Sequence, residues 1–174
     1  MACSALEAKE TLMNRKLINV LVLCTGNSCR SILGEALLNH LGGDRLRAWS
    51  AGSHPTGKVN PHALETLRRH GLPAEGLSSK SWDALGDIAF DILITVCDDA
   101  AGEACPIYLS PAIRGHWGMP DPAKATGTLA EIDAVFDATF ETLENRVRAL
   151  LALPVEHMNP AELAAELERI GKIA

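Results

Sequence analysis

Leu17 to Leu23 is an almost unbroken apolar run, too uniformly apolar for a strand with one wet face. It predicts a central strand of a parallel sheet. From Ser31 to Leu41 the period changes: Ile32, Leu33, Ala36, Leu37 and Leu41 lie along one side of a helix that Gly42-Gly43 closes. Leu46 to Ser50 predicts a second strand, ended by Ala51-Gly52. Asn60 caps and Pro61 opens a helix running to about Arg69, with Gly71 just past its end. A short helix is expected over Ser81 to Leu85. Ile88 to Val96 contains a third strand ending at Cys97, and a short fourth strand is expected near Ile107 or Trp117. Leu129, Ile132, Phe136, Phe140, Leu143, Val147 and Leu150 step by three and four, a long amphipathic helix that Pro154 breaks. Asn159-Pro160 starts a last helix with Leu163, Leu167 and Ile170 as its apolar stripe. Strands alternating with helices predict an α/β fold with right-handed crossovers and a parallel sheet. Ligands of such sheets bind beyond the carboxyl ends of the strands, and Cys24 and Cys97 both sit at such ends.

Composition narrows the function classes. The chain has 174 residues, 47% hydrophobic and 22% charged, which is ordinary for a globular protein with one proper core. A net charge of −6 with only small basic clusters argues against a nucleic-acid partner. No apolar stretch reaches the roughly 18 residues of a membrane-spanning helix. Residues 1–16 hold Glu7, Lys9 and Glu10 and no continuous apolar core, so they read as a lead-in and not as a signal peptide. The expected location is cytoplasmic. In a reducing compartment the five cysteines are expected to be reactive or buried thiols, not structural disulfides.

Candidate chemistry centres on Cys24-Thr25-Gly26-Asn27-Ser28-Cys29-Arg30, set between the first strand and the first helix. A Cys-x5-Arg spacing in that context fits a loop wrapped around a tetrahedral oxyanion, with backbone N–H groups and the helix N-terminus aimed at the anion. The same field is expected to lower the pKa of the Cys24 thiol, and the thiolate is the nucleophile. Arg30 adds a planar cationic fork that holds two oxygens at once. Cys97 and Cys105 flank a polar segment, read either as packing residues or as a relay of thiols. A relay requires Cα atoms within roughly 7 Å, which a loop carrying Cys97 towards Cys24 would reach by moving. Neither cysteine spacing matches a common zinc site. Asp121 lies between two prolines. Capping its own backbone is the commoner role of such an Asp, and donating a proton to a leaving oxygen is the catalytic one.

C-T-G-N-S-C-R-S, S-A-G after the second strand, V-C-D-D-A-A-G-E-A-C-P-I and H-W-G-M-P-D-P-A together resemble the cytoplasmic arsenate reductases built on the low-molecular-weight protein tyrosine phosphatase fold. The likeness covers residues 17–151, leaving 152–174 as a C-terminal helical extension. It implies a three-layer α/β fold around a central four-stranded parallel sheet. It also implies that Cys24 attacks arsenate while Arg30 and the loop amides hold the oxygens, Ser31 supports the thiolate and Asp121 protonates the departing oxygen. Cys97 would then release arsenite by forming a disulfide with Cys24, and Cys105 would displace Cys24 to give a pair reduced by an external thiol carrier. Cys29 has a counterpart without a redox role. Asn27, Glu35, Ser50 and Asp83 match positions that hold the loop, in some members around a potassium ion; no tightly bound cofactor is implied. Phosphate and sulfate are expected to mimic arsenate. Thioredoxin is the expected carrier and glutaredoxin with glutathione the alternative, because one extra residue separates the relay cysteines. The competing reading is a phosphotyrosine phosphatase using a phosphocysteine intermediate. Against it stand Ala123, where such phosphatases carry an aromatic residue, and a second pair of cysteines that hydrolysis does not need. A non-catalytic oxyanion sensor is the third reading.

Overall fold

A computed structural model of the chain describes residues 16–98, 109 and 111–174. Four parallel strands make the sheet: β1 (Ile18–Leu23), β2 (Leu46–Ala51), β3 (Ile92–Thr95) and β4 (Ile113–His116), in the order β2-β1-β3-β4. The helices are α1 (Arg30–Gly42), α2 (Pro61–Arg69), α3 (Leu129–Leu151) and α4 (Pro160–Ile170). The expected four-stranded parallel α/β architecture is the one observed. The fourth strand lies at 113–116, between the two places the apolar pattern pointed to, because its burial is uneven and leaves little period-2 signal. The short helix expected at 81–85 is a 3₁₀ turn, Trp82–Leu85, capped by the Ser81 side chain.

The period-2 geometry of β1 splits the core. Val20 and Val22 face the larger cluster with Leu33, Leu37, Phe136, Phe140, Leu163 and Leu167, whereas Leu21 and Leu23 face Leu85, Phe90, Leu93 and Leu109. Helix α1 departs from the one-sided stripe expected of it: every residue from Ser31 to Leu38 is buried. A helix covered on all sides is a core helix, and this one sits between β1, β2 and α3.

Helix α3 starts in a capping box in which Thr128 and Glu131 exchange hydrogen bonds, and α4 starts in a second one, Asn159 with Glu162. The C-terminal helix belongs to the same core, since Leu163, Leu167 and Ile170 are all buried in it. It lies over the edge strand β4, close enough that any side chain at Gly115 would meet Leu167 Cβ. The Trp117 indole donates to the Leu167 carbonyl at 3.0 Å. Buried Arg146 of α3 donates to the carbonyls of Trp117 (2.8 Å), Gly118 (3.3 Å) and Ile173 (2.9 Å). Among the described residues, no helix is long and apolar enough to cross a membrane. Residues 1–15, which hold most of the expected lead-in, lie outside the described residues.

Candidate active site

After β1 the chain crosses to β2 on one side and returns to β3 on the other, so the carboxyl ends of β1 and β3 border the sheet's switch point. Cys24 follows β1 directly and Cys97 lies two residues past β3. Between Cys24 and Arg30 the backbone carbonyls are tied outward. Thr25 O accepts from His54 N and Gly26 O from Thr56 N, both at 3.0 Å, and Ser28 O accepts from Asn60 N at 3.0 Å. Ser79 Oγ adds a second donor to Gly26 O at 3.2 Å. In a trans peptide the N–H points opposite its C=O, so the amides of Gly26, Asn27 and Cys29 face the loop's interior. The Gly26 N–H is accordingly bonded to the Cys24 sulfur. Gly52, at the end of β2, lets this loop approach closely: a Cβ there would collide with the Thr25 carbonyl.

Asn27 is the loop's strut. It is fully buried and has φ +46°, a region where Asn is among the few residues at ease. Its Nδ2 donates to Ser31 Oγ at 2.8 Å and its Oδ1 accepts from Lys80 N at 2.9 Å. Ser31 therefore enters the site as Asn27's partner beneath the loop.

Arg30 opens α1. Its guanidinium donates to Met119 O at 2.9 Å and stands 3.7 Å from the Asp121 carboxylate. Its Nε is buried and donates to no group among the described residues. Buried donors are nearly always partnered, so this one points to an acceptor brought by a ligand. Asp121 takes the capping role weighed for it, Oδ1 capping the Pro122–Lys124 turn through Ala123 N at 3.0 Å, while Oδ2 faces Arg30.

The two sulfurs are neighbours. Cys97, buried beside the loop, shares a hydrogen bond with Cys24, and its sulfur accepts from Thr25 N at 3.4 Å and lies 3.6 Å from Thr25 Oγ1. No loop movement is needed to bring Cys97 to Cys24, contrary to the expectation that this loop must travel. The Cys24 thiol also differs from expectation, because it is pushed up. The hydrogen bond to Cys97 is the largest cause and burial the second, and together they outweigh Arg30 and the Gly26 amide, which pull it down. Two thiols sharing a proton titrate as a pair. Cys29 is pushed up to about 11, mainly by burial, which suits a protonated packing thiol. Cys24, Cys29 and Cys97 are all free thiols. Cys105 lies outside the described residues.

The four positions offered to potassium already have partners: Glu35 and Ser50 engage each other, Asn27 is held by Ser31 and Lys80, and Asp83 by Ser81. Glu35 accepts from Ser50 Oγ at 2.5 Å and has the Lys80 ammonium 4.0 Å away. Asp83 accepts from Ser81 Oγ at 3.3 Å. Burial raises the Glu35 pKa, with Ser50 and Lys80 opposing. A lysine cation already faces the buried Glu35 carboxylate, so these residues fit an added monovalent cation poorly. Lys80, the Met119 carbonyl and the 54–60 amides were not legible as parts of the site. Two of these three act through backbone atoms, which carry no residue-type signal.

Four likenesses bear on the chain. A family model described as low molecular weight phosphotyrosine protein phosphatase matches residues 19–168. An arsenate reductase of Bacillus subtilis (strain 168) is 37% identical over 128 residues, spanning 72% of this chain and 89% of that protein. Among solved structures, an arsenate reductase in its phosphate-binding state superposes with a TM-score of 0.66 at 24% identity, over 78% of this chain and 98% of that one, a likeness of fold. The tyrosine phosphatase Wzb from Escherichia coli K30, solved with sulphate, gives 0.62 at 25% identity, over 78% and 97%.

Proposed function

This chain belongs to the low molecular weight phosphotyrosine protein phosphatase family, and we propose that within it the protein reduces arsenate to arsenite. The observation that carries this reading is the pair of sulfurs. Cys97 stands in hydrogen-bond contact with Cys24 at the mouth of an oxyanion loop. Hydrolysis of a phosphate ester requires one thiol there, whereas reduction requires two. The B. subtilis relative named arsenate reductase points the same way.

The inward amides and the free Arg30 Nε receive the oxygens of the tetrahedral anion, and Cys24 Sγ attacks arsenic as its proton passes to an anion oxygen. A sulfur–arsenic bond forms as an oxygen departs as water. Asp121, held beside Arg30, supplies the proton to that oxygen. The Cys97 sulfur, its proton passing to an arsenic-bound oxygen, then attacks Cys24 Sγ. The new sulfur–sulfur bond forms as the sulfur–arsenic bond breaks, its electron pair stays on arsenic, and arsenic leaves in the +3 state as arsenite. Two thiols have been oxidised to one disulfide. We assign Cys105 to displace Cys24 from that disulfide, and an external thiol carrier to restore the thiols, with thioredoxin as the first candidate and glutaredoxin with glutathione the second.

Mapping cysteine connectivity by mass spectrometry after one turnover with arsenate tests the reading. The expected product is a Cys97–Cys105 bond, and Cys97→Ser is expected to stop after a single thiol adduct. An unchanged thiol set combined with turnover of tyrosyl phosphate would assign the chain to the hydrolases, whose sulphate-bound member shares the fold. Residual phosphatase activity is part of the proposal, because phosphate and arsenate have the same shape and charge. Cys24→Ser is expected to abolish both activities and leave phosphate binding in place.

A further inference from the structure

The relay cysteine is bracketed by one imidazole. Thr95, two residues before Cys97, places Oγ1 2.8 Å from His116 Nδ1; Asp98, the residue after Cys97, places Oδ1 2.9 Å from His116 Nε2. Thr95 and His116 are facing partners on the last rung of the β3–β4 ladder, and Trp117 N donates to Thr95 O at 2.7 Å just beyond it. The ring and the carboxylate lie over Gly118, where an added Cβ would fall 2.5 Å from Nε2 and 3.1 Å from Asp98 Oδ1. From behind, Gly171 of the C-terminal segment closes on the His116 carbonyl.

We propose that His116 is a positioning residue for the disulfide-forming step. By holding the residues on both sides of Cys97, it keeps that sulfur against Cys24 and Thr25 N. This rests on the two-thiol reading above. The two contacts differ in kind. Thr95 is 7% exposed, so its bond to the ring is made out of water and fixes the direction in which the chain leaves β3. The Asp98 side chain is 95% exposed, and an ion pair so placed adds little to stability. Its effect is directional: with Thr95 anchored, the ring leaves the backbone between the two contacts, where Cys97 sits, one favoured course. The chemical step it serves is the attack of Cys97 Sγ on Cys24 Sγ, whose rate and equilibrium follow from how often the sulfurs meet. His116 touches neither sulfur in any contact found among the described residues and exchanges no proton with them in this proposal.

The test measures the meeting of the sulfurs without arsenate. In a Cys105→Ala background, the protein is equilibrated with mixtures of reduced and oxidised glutathione. One glutathione disulfide oxidises the Cys24–Cys97 dithiol and yields two glutathiones, so the equilibrium gives the effective concentration of one sulfur at the other. Mass spectrometry identifies the bonded pair. His116→Ala is expected to lower that concentration at least tenfold, with inorganic phosphate affinity unchanged. His116→Asn, which keeps a donor near Thr95, is expected to recover most of the loss, and Thr95→Val to reproduce it. Should His116→Ala not fold, Thr95→Val and His116→Asn carry the comparison alone. Effective concentrations within twofold of the parent in His116→Ala and Thr95→Val would overturn the proposal. A parent that never yields arsenite, yet shows the His116 dependence, would sink the reductase reading and leave this placement standing.

Discussion

The Cys24 thiol is pushed up chiefly because its hydrogen-bond partner is another sulfur. The shared hydrogen bond with Cys97 and its own burial raise the Cys24 thiol, while Arg30 and the Gly26 amide lower it. Removing the Cys97 sulfur removes the largest upward cause and leaves both downward ones, so the sign of the change is set. Cys97→Ala is expected to move the onset of Cys24 alkylation by iodoacetamide to lower pH, read at Cys24 itself by mass spectrometry. An unchanged or higher onset would show that burial alone holds the proton. The residue scale also explains why the motif was legible and its protonation was not. Cys24, Asn27 and Arg30 announce an anion loop by type and spacing, but the partner that reverses the thiol's shift comes from 73 positions further along the chain.

Between elements, α2 and α3 are joined by a charged cluster. Arg69 Nη2 and His70 Nε2 meet the Asp137 carboxylate at 2.8 and 3.0 Å, and the His70 ring stacks on Phe140 at 4.0 Å. Burial acts to raise Asp137, but the hydrogen bonds from Arg69 and His70 prevail and hold it below its usual range. A carboxylate depressed in the folded state contributes stability that is fully present above its unfolded pKa of about 3.9 and is lost as pH falls through the folded value. Thermal stability of the parent is therefore expected to fall more steeply than that of Asp137→Asn as pH drops below about 4, a comparison made by melting both across that range. Parallel curves would show that the cluster contributes nothing that depends on charge. Periodicity located the long helix, and Asn60-Pro61 marked the start of the shorter one. It did not pair Arg69 with Asp137, because each sits on a polar face whose default partner is water.

Across the whole molecule, the C-terminal helix is part of the frame that carries the site. Leu167 is fully buried, its carbonyl receives the Trp117 indole, and Gly115 of β4 lies directly beneath it. Leu167→Ala is expected to destabilise the fold by about 2–5 kcal/mol, measured by denaturant unfolding. Because Trp117 stands between His116 and the acid loop, its fluorescence is expected to change with the same substitution. Arg146 binds the carbonyls of Trp117, Gly118 and Ile173 with one guanidinium, joining the segment before Asp121 to the chain's last residues. That arginine went unnoticed among the apolar steps of α3.

Apolar period, capping residues and the Cys-x5-Arg spacing are local properties, carried within a dozen residues, and they were enough to establish alternating strands and helices and the place of the loop. Only the tertiary structure decided that α1 is buried on every side, that Cys97 already touches Cys24, that His116 spans the residues flanking it, and that a lysine faces Glu35. Each of these is a contact between segments remote in sequence, many of them made by backbone groups or by side chains on polar faces. Pattern along one chain cannot rank such pairings, because their energies exist only once the strands have brought the partners together and excluded water from between them.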